Sequence, residues 1–136
     1  MLFTQKSEVD IHEMSPLALA FVGDAVLELL VRARLVGTTR LQPNRLHTVA
    51  THYVSAHAQN LELDIIEPML TDAEAAVLRR GKNASKATVA KHATVQEYRA
   101  STGFECLLGW LYLNGQLGRV HELFETLWQQ FDPNET

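Results

Sequence analysis

An all-α fold of about six to seven helices is what this chain predicts, and three observations carry that prediction. Apolar residues recur at helical spacing over most of the length. Prolines, glycines and two capping boxes cut that pattern into segments of helical size. No stretch convincingly shows the two-residue alternation of a half-buried strand.

Each element has its own signal. Ser15-Pro16 is an N-cap followed by proline at the first helical position, which starts a helix running to about Leu35, with Gly37 ending it. Pro43-Asn44 opens a second helix through Leu46, Val49, Ala50, Tyr53 and Val54. Ser55 to Met69 continues it as a separate or kinked helix, stopped near Pro68. Thr71-Asp72-Ala73-Glu74 is a capping box and starts a short helix to about Arg80. Gly81 to Ala93 lacks periodicity and reads as an exposed loop. A second capping box, Thr94 to Glu97, opens a long helix that ends at Asn114-Gly115, and a last helix covers about Leu117 to Phe131.

The bulk numbers narrow the class. A length of 136 residues fits one domain with one core, and 46% apolar with 21% charged residues is ordinary for a soluble protein. The one cysteine, Cys106, excludes an intrachain disulfide and a zinc site built on several thiolates. No secretory signal is visible, so a cytoplasmic location is expected. The apolar run Pro16 to Val31 is interrupted by Asp24 and Glu28 and falls short of a membrane span, so no membrane partner is expected.

The net charge of −4 argues against a generic nucleic-acid binder, but its distribution is uneven. Arg79, Arg80, Lys82, Lys86, Lys91 and Arg99, half of the twelve Lys and Arg residues, fall in 21 positions against a single acid, Glu97. Screening confines charge effects to about 10 Å, so a local basic patch on an acidic body still engages phosphates. A solvated face with helix-end lysines is the alternative.

Two carboxylates carry the chemistry. Leu17 to Leu30 is an almost wholly apolar helix with Asp24 in its middle, and Tyr98 to Leu113 is another with Glu105. An ionised acid on a core-forming helix costs free energy unless something positive meets it. Gly23 precedes Asp24, and Gly103 and Gly109 flank Glu105, so a close crossing near Gly23 and Gly103 would bring the two acids to one cation. Glu28, one turn after Asp24, shares its face. Oxygen-only ligation suits Mg²⁺ or Mn²⁺, which retain waters and bind phosphate oxygens. Ion pairs with arginines such as Arg32 or Arg99 are the alternative that spacing leaves open.

These residues also carry a resemblance. Phe21-Val22-Gly23-Asp24-Ala25-Val26-Leu27-Glu28 resembles the signature helix of the ribonuclease III family, and Thr102-Gly103-Phe104-Glu105 through Gly109 to Leu113 resembles its second acidic motif. With Gln42 to His47, Tyr53 to Ala56, Arg79 to Ala84 and Tyr98 to Glu105, the chain resembles the short Mini-ribonuclease III form from about Pro16 to Leu123. The resemblance implies an all-helical homodimeric endonuclease that cleaves double-stranded RNA with Mg²⁺ (Mn²⁺ as substitute) and matures the 23S ribosomal RNA precursor. Products would carry 5′-phosphate and 3′-hydroxyl ends. Asp24 and Glu105 take the places of the catalytic, metal-binding acids. Two further glutamates of the long form are replaced by Leu17 and Ala20, and its aspartate three residues before the second glutamate by Thr102. These substitutions match the short form and leave the number of metals open. Asn44 falls near the cation's expected place.

A single nuclease-type domain over residues 1–136, without a separate double-stranded-RNA-binding domain, is expected. That assigns duplex binding to the basic segment, with Arg79, Arg80, Lys82, Asn83, Lys86 and Lys91 as candidates. Tyr98 and Arg99 either orient a ligand or pack. His47, His52 and His57 rotate around a helix at five-residue spacing and do not predict a metal site. Trp110, Tyr112, Phe124 and Trp128 read as packing residues. The rival reading is an inactive dimeric RNA-binding or ribosome-assembly module of the same fold; a helical transcription regulator is disfavoured because the basic residues cluster in a loop and not on a recognition helix.

Overall fold

The computed structural model describes residues 7–85 and 93–135. Among them six α-helices form: α1 Pro16–Thr38, α2 Pro43–Val54, α3 Ala56–Ile66, α4 Asp72–Ala84, α5 Val95–Leu113 and α6 Leu117–Gln130. Short 3-10 turns at Ile11–Glu13, Glu67–Met69 and Pro133–Glu135 complete the order. The all-α expectation holds.

The helix starts follow the capping chemistry. Ser15 Oγ accepts from Ala18 N–H, and both capping boxes close reciprocally, Thr71 with Glu74 and Thr94 with Glu97. Ser55 settles the α2–α3 question. Its extended backbone ends α2, its N–H donates to Thr51 O, and its hydroxyl accepts from Ala58 N–H to start α3.

Two predicted boundaries are corrected. Gly37 lies inside α1, which ends instead where Thr38 and Thr39 turn their hydroxyls back onto the Arg34 and Leu35 carbonyls at 2.6 and 2.7 Å. Gly81 does not open a loop either, because α4 continues to Ala84. A Cβ on Gly81 would stand 2.6 Å from Cys106 Cβ and 2.8 Å from Gly103 Cα, so this glycine serves close packing of α4 on α5.

Helix α5 is the axis. It buries residues all around its circumference, and α1, α3, α4 and α6 pack against it. The core is one continuous cluster built from Leu19, Leu27 and Val31 of α1, Phe104, Leu107, Leu108 and Leu111 of α5, and Leu123 and Leu127 of α6. Each such side chain contributes about 1.5–3 kcal/mol by leaving water. Helix α6 is tied back by a Tyr53–Trp128 stack at 4.6 Å. Arg119 adds a fork, donating to Glu74 at 2.8 and 2.9 Å and to Met69 O at 2.6 Å. That guanidinium holds the buried Glu74 carboxyl below its usual range. No helix among the described residues is long and apolar enough to cross a membrane.

Candidate active site

The site begins where α1 and α5 cross without side chains between them. A Cβ on Gly23 would lie 1.7 Å from the Glu105 carbonyl oxygen, and one on Gly109 would lie 1.9 Å from the Leu19 carbonyl oxygen. The backbones therefore touch. Spacing predicts Gly103 as the partner of Gly23; the structure gives that place to Gly109. Gly103 faces α4, where a Cβ would meet Lys82 Cγ at 2.7 Å and Leu78 O at 2.9 Å. Gly109 lies one turn beyond Glu105, so it brings that carboxylate to the crossing as directly as Gly103 would have done.

The crossing brings Asp24 and Glu105 together. Asp24 is exposed and Glu105 half-buried. Burial is the largest influence on Glu105, a hydrogen bond from Gln59 opposes it, and the nearby Asp24 and Glu28 carboxylates push in the same direction as burial. The result is a carboxyl raised to about 7, with Asp24 near enough to share a hydrogen bond with it.

Neither proposed arginine neutralises the pair. Arg32 Nε pairs with Glu28 at 2.9 Å. Arg99 caps the end of α4, donating to Lys82 O at 3.2 Å and Asn83 Oδ1 at 3.1 Å. Among the described residues, Asp24 and Glu105 form no ion pair with a cationic side chain. No three His, Cys, Asp or Glu side chains of the described residues converge there as a ready-made ligand set either. The donor set is two uncompensated carboxylates, which fits a hard cation that takes one or two protein carboxylates and completes its shell with water and phosphate.

Comparison with known proteins gives this geometry its family. Residues 17–116 match the Ribonuclease III domain model. A Mini-ribonuclease 3 of Enterococcus faecalis is 46% identical over 116 residues, covering 84% of this chain and 88% of the relative. One from Brevibacillus brevis is 42% identical over 123 residues, covering 89% and 92%. The chain belongs to the ribonuclease III family. It falls on the short Mini-ribonuclease 3 branch, and it is an endoribonuclease of ribonuclease III type. The fold agrees with a crystal structure of a Fusobacterium nucleatum protein at a TM-score of 0.80 and 27% identity, covering 92% of this chain and 98% of that one.

The remaining sequence candidates separate into distinct places. Thr102, where long ribonuclease III has an acid, is buried, and its hydroxyl donates to Tyr98 O at 3.0 Å and Ser85 Oγ at 3.4 Å. Tyr98 is half-buried at that same turn. Asn44 is exposed at the start of α2, its amide oxygen taken by the Arg45 N–H at 3.0 Å. Arg79 and Arg80 are exposed, but on α4 and not on a loop. Lys82 lies against Gly103 with Nζ 4.0 Å from Glu67, and Asn83 serves Arg99. Lys86 and Lys91 lie outside the described residues. His47, His52 and His57 are all exposed, and His57 pairs with Glu97.

Sequence reasoning missed Gln59. It is 1% exposed, and its Nε2 donates to Glu105 Oε2 at 2.9 Å and to Val54 O at 3.0 Å. The available signal was its register: Gln59, Glu62, Leu63 and Ile66 fall at i, i+3, i+4 and i+7, a helical core stripe carrying two polar residues.

Proposed function

We propose that the chain is a metal-dependent endonuclease that cuts double-stranded RNA, acting in the cytoplasm on the 23S ribosomal RNA precursor. The carrying observation is the side-chain-free crossing at Gly23 and Gly109, which sets two carboxylates from separate helices side by side with no cation of the described residues between them. Asp24 and Glu105 would hold Mg²⁺, or Mn²⁺ in its place. Such an ion acidifies a bound water and offsets charge on the scissile phosphodiester. The protein's own part is positional: the crossing fixes Asp24 against Glu105, Gln59 grips one Glu105 oxygen, and the exposed Arg79 and Arg80 offer charge to backbone phosphates.

A homodimer belongs to this reading. Leu17, Phe21, Leu29 and Val36 stand exposed along the outward face of α1, Phe21 at 83%, one turn from Asp24. Beside them α1 and α6 enclose an apolar groove of about 520 Å³ lined by Val26, Leu30, Val120 and Phe124 among others.

The test is incubation of the purified protein with a long RNA duplex and Mg²⁺, beside Asp24→Asn and an EDTA control, with sedimentation of the same sample. The reading predicts a dimer and cleavage to 5′-phosphate ends, lost with EDTA and reduced about 100-fold or more in Asp24→Asn. Cleavage by Asp24→Asn at the parental rate, or duplex binding without cleavage by the parent, would sink it.

A further inference from the structure

Behind the carboxylate pair lies a buried polar group that the proposed chemistry does not use. Glu62 is 0% exposed, and neither of its carboxyl oxygens has a hydrogen-bond partner among the described residues. Gln59 Oε1, three positions earlier on the same buried face of α3, is also without one. The Gln59 amide cannot simply turn over, because both Nε2 bonds, to Glu105 and to Val54, would break. Its oxygen therefore stays directed away from the site and needs a donor.

Burial pushes the Glu62 carboxyl up to about 9, so near neutral pH it is an acid with an O–H to give. The other titratable group it influences is Tyr53, whose phenol is pushed up by its own burial and then by Glu62 and Asp132. An orphaned acid and an orphaned amide oxygen one helical turn apart are complementary as donor and acceptor.

We propose that Gln59 is the positioning residue that fixes the facing of the Glu105 carboxylate, and that the Glu62 O–H holds Gln59 in place through its Oε1. A cation ligand is thereby oriented from two layers behind, without either residue touching substrate. This rests on the nuclease reading above.

The experiment compares Gln59→Leu, Glu62→Leu and Glu62→Gln with the parent, with Gln59→Met standing in should the leucine variant melt below assay temperature. Three quantities are read: Mn²⁺ binding by electron paramagnetic resonance, kcat and KM on an RNA duplex, and the thermal midpoint. Gln59→Leu is expected to weaken Mn²⁺ binding and lower kcat by roughly 10- to 100-fold, with KM near the parental value. Glu62→Leu should move both in the same direction, and Glu62→Gln, which retains a donor, should recover them. Parental Mn²⁺ affinity and kcat in Gln59→Leu would overturn the proposal. Parental behaviour of Glu62→Leu, or a Glu62→Gln as impaired as Glu62→Leu, would overturn the Glu62 half. A parent that does not cleave sinks the nuclease reading itself, a result distinct from all of these.

Discussion

Glu62 and Glu105 are both kept from losing their protons easily, and for different reasons. Glu105 is half-buried and faces two other acids, whereas the Glu62 carboxyl is raised by burial alone. With its pKa raised from 4.5 to about 9, Glu62 binds a proton in the folded protein that the unfolded chain releases. The resulting stability is complete below about 4.5 and is lost as pH rises through about 9. Glu62→Gln cannot ionise, so its melting temperature should gain on the parent between pH 6 and 9. The gain should reach several degrees, since about 1 kcal/mol moves Tm by a few degrees at this size. A constant difference between the two proteins across that range would show that Glu62 is not an enclosed acid. Asp24 and Glu105 were legible in the sequence because acids are rare in their long apolar runs, with Glu28 the one other acid beside Asp24 and Glu105 alone in its own. Gln59 and Glu62 were not, because α3 also places apolar residues at Leu61 and Ile65, off the buried stripe, which hides the register.

The glycines show at the scale of elements what spacing alone leaves undecided. Sequence reads Gly37 as a helix end, Gly81 as a loop opening and Gly23, Gly103 and Gly109 as flanking a crossing, yet Gly81 joins the latter three where helices meet and only Gly37 does not. Gly37→Ala meets nothing within 4 Å, stays helical and should stabilise the protein by up to about 1 kcal/mol. Gly23→Ala and Gly109→Ala collide with backbone that has nowhere to go. Each should cost about 3 kcal/mol or more, beyond ordinary overpacking of a core. Urea unfolding of the three variants checks this: equal midpoints for all three would contradict the bare crossing of α1 and α5. Helix starts were legible for the same reason these glycine roles were not. A cap is a local hydrogen bond between residues three apart, whereas the role of Gly81 depends on Cys106 and Gly103, more than twenty positions away.

Across the whole molecule, charge is divided between an acidic body and a basic stretch, and the structure divides that stretch again. Lys82, Asn83 and Arg99 are engaged in holding α4 to its neighbours, leaving Arg79 and Arg80 as the exposed cations of α4. Replacing both by alanine should weaken duplex binding and flatten its salt dependence by about one unit of log–log slope for each phosphate no longer neutralised. Binding titrations at several salt concentrations measure this, and an unchanged slope would remove both residues from the interface. The fold class and the acid pair were readable in one sequence because they rest on periodicity and on rare residues. The sorting of cations into structural and free ones was not, because it depends on which helix end each side chain reaches. The bare meeting of α1 with α5 also has an evolutionary consequence. If Asp24 holds the cation as proposed, changes at Asp24 in a library of random variants would yield soluble but silent protein, whereas changes at Gly23 or Gly109 would yield little protein at all. Catalysis can be lost here by drift while the scaffold persists, but the scaffold cannot drift at this point without taking catalysis with it.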